Sequence, residues 1–325
     1  MSESSRYDDH RQRHGFKNTN PEFRDPSAWE RLRFVATRTW GTTFHPRTSP
    51  LAPAANDGAL LRDNDTAATI TWIGHATFLI QLDGLNILTD PHWSERASPV
   101  GFAGPKRLVA PGLRFEDLPR IHLVLISHDH YDHLDIQTVW RVAQAHRPLF
   151  LVPLGLKRWF GDRQIQNVEE FDWWESRKFE DGVMTCVPAQ HFSGRTLWDH
   201  NRRLWSGWSV QGRRQHFFFA GDTGYYRDLF TEMTRRLNPI DLAAIPIGAY
   251  LPPSMMQFVH STPEQALQIF SDLHADRFVA MHWGTFDLAD EPIGEPPERL
   301  HAERQRLGLN EKRIWIMSPG ETRPW

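Results

Sequence analysis

The stretch at residues 121–135, IHLVLISHDHYDHLD, constrains this chain more than any other part of it. Its apolar run, residues 123–126, predicts a buried strand, because a short apolar run between polar residues is typical of a strand covered on both faces. Metal-binding residue types follow within six positions: His128, Asp129, His130, Asp132 and His133. Imidazole and carboxylate groups suit zinc, iron or manganese. The stretch therefore predicts a rigid strand that presents ligands to a metal; the alternative is a histidine-rich surface loop.

The composition is that of an ordinary globular protein. The chain has 325 residues, 40 % of them hydrophobic and 24 % charged, which suits one large α/β domain or two small ones. A net charge of −3 provides no electrostatic case for a nucleic-acid partner. The single cysteine, Cys186, excludes an internal disulfide and fits a reducing compartment. Because no apolar run approaches the roughly 20 residues of a membrane span and no signal core is visible, we expect a cytoplasmic protein that is at most peripheral at the membrane.

The beginning of the chain differs in composition from the rest. Residues 1–28 are polar and lack periodicity, so they predict an N-terminal extension that is disordered or lies on the surface of the body. We expect residues 29–325 to form a single domain. Within it, residues 29–41 predict a short helix, and residues 47–67, rich in proline, alanine and aspartate, predict a connecting loop.

Local signals in the body predict a hairpin and two helices. Asp83-Gly84 lies between the apolar segments LIQL and LNIL, which predicts a tight hairpin turn. Residues 136–146 have the periodicity of an amphipathic helix. Thr262 and Pro263 are typical of a helix N-cap and of the first helical position, so we expect a second helix to begin there.

Chemically competent side chains follow the ends of several predicted strands. The motif at 128–133 follows one apolar run, and His191, Asp222 and His282 each end or follow another. In layered α/β folds, ligands collect at the carboxyl ends of strands. Each of these histidines taken alone is better explained as a core residue. Their joint occurrence predicts one site assembled from separate segments.

The seven residues can be divided between two metals. His128, His130 and His191 form one set, and Asp132, His133 and His282 form a second. Asp222 is expected to bridge, because a carboxylate has two oxygens. Two metals about 3.5 to 4 Å apart, with positions open for water, suit hydrolysis by a metal-bound hydroxide that is available near pH 7. The residues therefore predict metal-assisted hydrolysis, with Asp132 and Asp222 at the catalytic centre.

Longer motifs carry a resemblance to a known family. HDHYDH (128–133) is similar to the HxHxDH signature of the metallo-β-lactamase superfamily, and the later His, Asp and His follow in the order that this superfamily uses. More narrowly, the chain resembles the family of N-acyl-phosphatidylethanolamine-hydrolysing phospholipase D from about residue 25 to its end. The motifs that carry this resemblance are WIGHATFLI (72–80), LTDP (88–91), SHDHYDHLD (127–135), PAQHFSGRTLWD (188–199), LWSGW (204–208), AGDTGY (220–225) and DLAAIPIGAY (241–250).

The resemblance implies an α/β fold, the four-layer αββα sandwich of the metallo-β-lactamases, with a site for two Zn²⁺ and the same division of ligands. Manganese or iron in place of zinc is the alternative. It implies a phospholipase D-type phosphodiesterase that converts N-acyl-phosphatidylethanolamine to an N-acylethanolamine and phosphatidic acid, and it implies a homodimer. His260 corresponds to a histidine near the substrate in that family. It is expected to contact the phosphate or to assist proton transfer; a structural histidine before a helix is the alternative.

Other residues are expected to support the ligands from behind. His75 and Asp90 lie at strand ends, where an imidazole or a carboxylate can fix the tautomer of a ligating histidine. Asp129, inside the motif, either does the same or is an exposed loop carboxylate. Cys186 is expected to be buried packing.

Apolar segments near the site raise the question of lipid contact. Tyr250 opens an apolar loop, residues 250–256, that either contacts substrate or lipid or packs beneath a lid. Trp198, Trp205 and Trp208 are candidates for a lipid-facing surface. A phospholipid or small phosphodiester substrate and a transient contact with a membrane surface are therefore the expected partners.

Two other functions stay open at this stage. A related lactonase, or a phosphodiesterase of small or nucleotide substrates, would need a narrow polar pocket with Arg or Lys near the metals, and Arg195 is the first residue to examine. A non-catalytic metal-binding scaffold is the other. Asp222 stands where the main β-lactamase subtype carries cysteine, and His130 where iron redox members carry a carboxylate, so those two activities are disfavoured.

Overall fold

Two seven-stranded β-sheets pack face to face in this protein, as seen in a computed structural model that describes residues 10–44, 47–179, 182–196, 198–237 and 239–325. The described strands are β1 (Arg11–Gln12), β2 (Gly15–Phe16), β3 (Thr69–Gly74), β4 (Thr77–Leu82), β5 (Leu85–Thr89), β6 (Leu123–Leu125), β7 (Leu149–Pro153), β8 (Val168–Phe171), β9 (Ser176–Phe179), β10 (Gly182–Val187), β11 (Gly207–Gln211), β12 (His216–Phe219), β13 (Leu242–Pro246), β14 (Arg277–Met281), β15 (Ile314–Trp315) and β16 (Thr322–Pro324). The described helices are α1 (Ala28–Phe44), α2 (Ala59–Arg62), α3 (Ile136–His146), α4 (Leu156–Gly161), α5 (Arg227–Leu237), α6 (Pro253–Met256), α7 (Pro263–Asp272) and α8 (Glu295–Arg306), with 3₁₀ turns at Phe115–Asp117 and Glu311–Arg313.

Each sheet mixes parallel and antiparallel pairs. The order in the first sheet is β16-β3-β4-β5-β6-β7-β8, and in the second it is β15-β14-β13-β12-β11-β10-β9. Strands β5 to β8 are parallel to one another, as are β12 to β15. Parallel neighbours need crossovers. The segments that contain α3, α4, α5, α7 and α8 supply five of the six, and the β5–β6 crossover contains only the 3₁₀ turn at Phe115–Asp117.

Strand β6 shows how the sequence alternation builds the layers. Leu123 and Leu125 belong to the core between the two sheets, whereas Val124 and Ile126 belong to the core beneath α3 and α4. All four side chains are buried, which confirms the buried strand predicted before the motif. Because successive residues of a strand point to opposite faces, a strand covered on both sides has no polar position.

Helices cover the outer face of each sheet. Val139 of α3 and Phe160 of α4 pack on the first sheet, and Phe230 of α5 and Phe270 of α7 join the core that includes the second. The layers are therefore helix, sheet, sheet, helix, which confirms the predicted αββα sandwich. Among the described helices, none combines the length and apolar character that a membrane crossing requires.

Several local predictions are confirmed by the element bounds. Helix α3 has the predicted limits, and the Asp135 side chain caps it by accepting from the Gln137 N–H. Thr262 caps α7 in a reciprocal capping box with Gln265. The β4–β5 hairpin turns at Asp83-Gly84, with φ of 50° and 77°. Helix α1 is longer than the predicted 29–41, and the predicted loop at 47–67 contains the one-turn helix α2.

The described part of the N-terminal segment lies against the body. Strands β1 and β2 form a small ribbon, and the Phe16 N–H donates to the Asn201 carbonyl at 2.8 Å. Residues 1–9 lie outside the described residues. The boundary between an extension at 1–28 and a domain at 29–325 stays a prediction.

Candidate metal centre

Six loops at one edge of the two sheets carry the predicted site residues. Within each sheet the strands that precede these loops run in the same direction, so their carboxyl ends meet at this edge. The residues are His75 after β3, Asp90 after β5, residues 128–133 after β6, His191 after β10, Asp222 after β12 and His282 after β14. Three of them have positive φ, 56° at His75, 33° at Asp90 and 61° at His282, a backbone that is uncommon without glycine and that clusters at functional sites.

The first set of predicted ligands forms a three-histidine group: His128, His130 and His191. Nδ1 of His130 lies 2.9 Å from Nε2 of His128 and 3.2 Å from Nε2 of His191. The opposite nitrogens are anchored, since Nδ1 of His128 lies 2.8 Å from Ser127 Oγ and Nδ1 of His191 lies 2.8 Å from the Val259 carbonyl. A carbonyl only accepts, so Nδ1 of His191 carries the proton and its Nε2 lone pair faces the group.

The second set forms an aspartate group: Asp132, His133 and His282. Oδ2 of Asp132 lies 3.3 Å from Nε2 of His133 and 3.3 Å from Nε2 of His282. Behind this group, Oδ2 of Asp90 accepts from Nδ1 of His133 at 2.7 Å. Nε2 of His75 lies 2.9 Å from Asp132 Oδ2. The predicted supporting positions of His75 and Asp90 therefore lie in contact with the aspartate group.

Asp222 lies between the two groups. Its Oδ2 is 3.1 Å from Nε2 of both His133 and His282. The same atom is 3.9 Å from Nε2 of His128 and 3.8 Å from Nε2 of His191. Its Oδ1 is buried and has no hydrogen-bond partner in the described part of the chain. This is the placement expected of a bridging carboxylate, with a bias toward the aspartate group.

Burial and charge set the protonation of these side chains in opposite directions. Burial, together with neighbouring imidazoles, lowers the pKa of His128 and His191 well below the ordinary value, which keeps them neutral. Burial also acts to lower the pKa of His133, but the carboxylates of Asp222 and Asp132 outweigh it and raise that pKa well above the ordinary value. The three-histidine group thus offers neutral imidazoles, whereas the buried carboxylates of Asp132 and Asp222 attract positive charge to His133.

The donor set fits divalent transition metals. Candidate ligand atoms within 4.8 Å of one another include both groups and a further cluster of His191, Asp222 and His260. Nitrogen lone pairs whose tautomers are fixed from behind, buried carboxylates and an orphaned carboxylate oxygen are what such an ion requires. Zinc, manganese and iron all accept this combination of ligands.

Asp129 connects the motif to a neighbouring loop. Its carboxylate is fully buried, so the alternative of an exposed loop carboxylate is wrong. Oδ1 accepts from the Gly194 N–H at 2.7 Å, and Oδ2 accepts from Nη1 of Arg203 at 2.7 Å. Asp129 thereby fixes the loop after His191 relative to the motif.

His260 and Tyr250 have different environments. Nδ1 of His260 lies 3.9 Å from Asp222 Oδ2 and has no hydrogen-bond partner among the described residues. Burial lowers the pKa of His260 to about 4. The Tyr250 hydroxyl instead donates to Glu295 at 2.6 Å, and the Arg299 guanidinium lies over its ring. The role of Tyr250 at the substrate stays a prediction.

A cavity of about 490 Å³ opens onto the centre. His130, Asp132, Asp222, His260 and His282 lie at one side of it. Apolar side chains from α1, from the loop after β10, from the 255–259 segment and from the loop after β14 form much of its wall: Leu32, Phe34, Val35, Phe192, Met255, Met256, Val259 and Leu288. Of the apolar loop at 250–256, Met255 and Met256 thus line the cavity. The apolar wall of the cavity begins next to the candidate metal ligands.

The three tryptophans predicted as candidates for a lipid-facing surface differ in their exposure. Trp198 is 81 % exposed. Trp205 and Trp208 are fully buried, and their indole N–H groups donate to the carbonyls of Ala189 and Ile126. The expectation of a lipid-facing surface is therefore wrong for these two, because both are buried inside the protein, where Trp208 reaches the end of β6 and Trp205 the end of β10.

The sequence of this edge matches a known family. The profile described as the Beta-lactamase superfamily domain covers residues 85–283, more than half of the chain. The chain belongs to the β-lactamase superfamily. The matched range contains both groups of the centre and Asp222.

Individual relatives narrow the position within this superfamily. The N-acyl-phosphatidylethanolamine-hydrolyzing phospholipase D 1 of Caenorhabditis elegans is 43 % identical over 241 residues, which cover 71 % of this chain and 68 % of the relative. An uncharacterised protein of Mycobacterium tuberculosis is 37 % identical over 323 residues, covering 95 % and 85 %. The solved metallo hydrolase Igni18 of Ignicoccus hospitalis shares the fold, with a TM-score of 0.60 at 21 % identity over 80 % of this chain and 99 % of that one. The chain is thus a metal-dependent hydrolase of the β-lactamase superfamily.

Three residues that support the candidate metal ligands were not predicted from sequence. Ser127 lies directly before the motif, and that position was its signal. Arg195 was examined only as a cation for a substrate, but its Nη1 donates to the carbonyls of Asp129 and Leu134 at 2.7 and 2.8 Å. Asn18, whose side-chain amide bonds the His191 backbone, lies in the polar N-terminal segment, where neither spacing nor hydrophobicity distinguishes it.

Proposed function

We propose that this chain is a zinc-dependent phosphodiesterase of phospholipase D type that hydrolyses N-acyl-phosphatidylethanolamine to an N-acylethanolamine and phosphatidic acid. The observation that carries the proposal is the cavity, whose wall is apolar beside a cluster suited to two metals. A phospholipid has the same arrangement, with a charged phosphodiester next to long apolar chains. The 43 % identity to a phospholipase D with this named substrate supports the assignment.

The reaction requires an oxygen of water to attack phosphorus while the bond from phosphorus to the ethanolamine oxygen breaks. The leaving oxygen takes up a proton and departs as the N-acylethanolamine, and phosphatidic acid remains. Two divalent ions, when bound, supply Lewis acidity for the phosphoryl oxygens and an activated water near neutral pH. The three-histidine and aspartate groups would hold these ions, and Asp222, which lies between the two groups, would be available to both.

Side chains around the cavity position the substrate. His260 faces the cavity beside Asp222, where its neutral imidazole can donate a hydrogen bond to a phosphoryl oxygen. Leu32, Val35 and Met256 offer apolar surface for acyl chains. Burial of each methylene there contributes about 0.8 kcal/mol.

Arg195 supports this substrate class over a small phosphodiester. It lines the cavity, but its Nη1 binds two carbonyls of the motif loop and its guanidinium lies 3.9 Å from the centre of the Tyr131 ring. Its principal contacts are therefore with the protein. A lactone or a nucleotide phosphodiester would have to bind against the apolar wall with little help from this cation.

Lipid contact and self-association stay predictions. Exposed aromatic side chains lie on α1 and on two loops that contribute other residues to the cavity wall: Trp29 at 71 %, Trp40 at 65 %, Phe102 at 80 % and Trp198 at 81 % exposed. These would suit transient contact with a membrane surface, and co-sedimentation with phospholipid vesicles tests it. Analytical ultracentrifugation tests the predicted homodimer.

The substrate test uses purified protein loaded separately with zinc, manganese or iron. Each form is offered N-acyl-phosphatidylethanolamine, phosphatidylcholine, bis-p-nitrophenyl phosphate and a lactone, with products identified by mass spectrometry. We expect phosphatidic acid and N-acylethanolamine from the first substrate, with the zinc form most active. Turnover of only the lactone or only the small phosphodiester would favour those alternatives. Absence of turnover on every phospholipid would contradict the substrate and leave the metal centre in place.

A further inference from the structure

The N-terminal segment at residues 10–26, here named the strap, runs across the loops that follow β10. Its first contact is His10, whose Nε2 lies 2.7 Å from Asp172 Oδ1. At Gly15 the strap approaches the backbone of Asn201 so closely that a Cβ would lie 2.0 Å from its carbonyl oxygen, which explains the glycine and its φ of 137°. Phe16 is buried in the main core. The strap is therefore held before it reaches the centre.

Asn18 then binds the main chain of a predicted metal ligand from both sides. Its Nδ2 donates to the His191 carbonyl at 2.7 Å, and its Oδ1 accepts from the His191 N–H at 3.1 Å. Only one orientation of the amide satisfies both bonds, so this pair fixes the position and the direction of the peptide groups of His191.

The next residues extend the same arrangement. Nδ2 of Asn20 donates to Oε1 of Gln190 at 2.8 Å, and Nε2 of Gln190 donates to the Phe258 carbonyl at 2.8 Å. The carbonyl of Val259, the following residue, is the acceptor for Nδ1 of His191. The backbone and the ring of His191 are thus fixed by one connected set of hydrogen bonds that begins in the strap.

His191 needs this support more than the other two members of its group do. His128 and His130 belong to one short motif, which is closed on itself by bonds from the His133 and Leu134 N–H groups to the His130 carbonyl, at 3.1 and 2.8 Å. His191 arrives alone from the end of β10. Its placement therefore decides whether the three nitrogens converge on one ion.

We propose that Asn18 is a positioning residue for the three-histidine group, and that the strap is thereby part of the metal centre. The inference rests on the two-metal site of the proposed function. Partners behind a ligand typically change metal affinity by about 10- to 100-fold. Asn18 does not contact the aspartate group, so its loss should act on one ion and spare the other.

The experiment compares full-length wild type with Asn18→Ala by titrating the Co²⁺ or Zn²⁺ protein against a chromophoric chelator. We expect two classes of site in the wild type. In Asn18→Ala one class weakens by about 10-fold or more, and the Co²⁺ absorption bands of that site change, while the other class is unaltered. The readout is metal affinity and coordination, and it does not depend on turnover.

Two further variants separate positioning from general loosening of the strap. Gln12→Ala removes a bond within the strap, from Nε2 to the Phe16 carbonyl at 2.8 Å, and should leave both classes as in the wild type. Asn18→Asp preserves the acceptor for the His191 N–H but places a carboxylate oxygen against the His191 carbonyl, so a loss at least as large as in Asn18→Ala is expected at the same site. It also carries the test should Asn18→Ala fail to fold.

The outcomes distinguish this inference from the proposed function. Wild-type affinities at both sites in the Asn18 variants, an equal loss at both sites, or the same loss in Gln12→Ala would each overturn the positioning role alone. A wild type that binds fewer than two ions would overturn the two-metal function together with the inference.

Discussion

In the three-histidine group, neutral oxygens lie behind the ring nitrogens, whereas in the aspartate group the supporting oxygen is charged. Ser127 Oγ and the Val259 carbonyl serve the first group. The Asp90 carboxylate serves His133 in the second. Asp222 adds to the contrast, because its Oδ2 is 3.1 Å from the nitrogens of the aspartate group and at least 3.8 Å from Nε2 of His128 and His191.

This difference indicates that the two groups bind a metal ion with unequal affinity. A carboxylate behind an imidazole raises its basicity and therefore its strength as a ligand. More negative charge also lies within reach of an ion held by the aspartate group. We therefore expect a chelator to remove the ion of the three-histidine group first. The variants described below are expected to reverse this order of metal loss, to abolish it or to change the difference in affinity by a smaller amount.

The largest effect is expected for Asp222→Asn, which removes the carboxylate shared by both groups. An amide cannot supply the same charge to two ions, so metal affinity and turnover should fall by more than about 100-fold, beyond the range of supporting residues. Metal content after dialysis and turnover on N-acyl-phosphatidylethanolamine measure this. Asp241→Asn is the control, since Asp241 accepts from the His216 N–H at 2.7 Å, at the other end of the same sheet. A two-metal, active Asp222→Asn protein would remove the bridging role.

Asp90→Asn should invert the order of metal loss. His133 then faces an amide oxygen in place of a carboxylate, and the affinity of the aspartate group should fall by about 10- to 100-fold. Stepwise chelator titration should show this site emptied first. Asp83→Asn makes the same chemical change at the opposite end of β5, in the hairpin turn, and should leave the order as in the wild type. An unchanged order in Asp90→Asn would show that charge behind His133 does not set the difference.

Ser127→Ala should have a smaller effect that reaches both groups. Ser127 Oγ lies 2.8 Å from His128 Nδ1 and donates to Asp90 Oδ2 at 2.5 Å. Loss of a neutral hydrogen bond of about 1 kcal/mol corresponds to roughly fivefold in affinity. A double-mutant cycle with Asp90→Asn measures the coupling through this contact. Strict additivity of the two changes would show that the groups are supported independently.

Each group takes two of its ligands from the motif at 128–133, but the supports of the aspartate group were easier to predict from sequence. His75 and Asp90 follow short apolar strands, where strand-end position is a visible signal. The geometry that joins them was not visible, because it depends on how two sheets stack and on positive φ angles at strand ends. Helices α5 and α8 were also not predicted from the sequence, because each has few buried residues among many charged ones.

The supports of the three-histidine group were less predictable. Val259 acts through its carbonyl, which carries no residue-specific signal. Asn18 lies 173 positions from His191 in the chain and within a polar segment that we expected to be an extension. Side-chain type predicts which atoms can bind a metal, but backbone acceptors and long-range amide contacts follow only from the folded arrangement.

The smallest effect is expected for Asp172→Asn, which loosens the beginning of the strap. Asp172 accepts from His10 and from Arg11, and although burial opposes it, these bonds lower its pKa to about 2. A carboxyl with a depressed pKa stabilises the fold above its ordinary pKa near 4, and this contribution is lost as the pH falls toward 2. At pH 7 the metal-free variant should therefore lose about 1 kcal/mol, or roughly 1–2 °C in Tm for a chain of 325 residues, and its difference from wild type should narrow below about pH 4.

Asp276→Asn is the control, because Asp276 is exposed and its Oδ2 lies 3.0 Å from Nη1 of Arg277. Its free energy of unfolding should change by no more than about 0.5 kcal/mol. The strap contacts His191, whereas the aspartate group has its own carboxylate support, so Asp172→Asn should weaken metal binding only at the three-histidine group. The loss of affinity should be no more than about twofold, because Phe16 and Asn18 still hold the strap. Equal weakening at both sites would show that the strap stabilises the whole edge of the sheets, and the contrast between the two groups would then lie in charge alone.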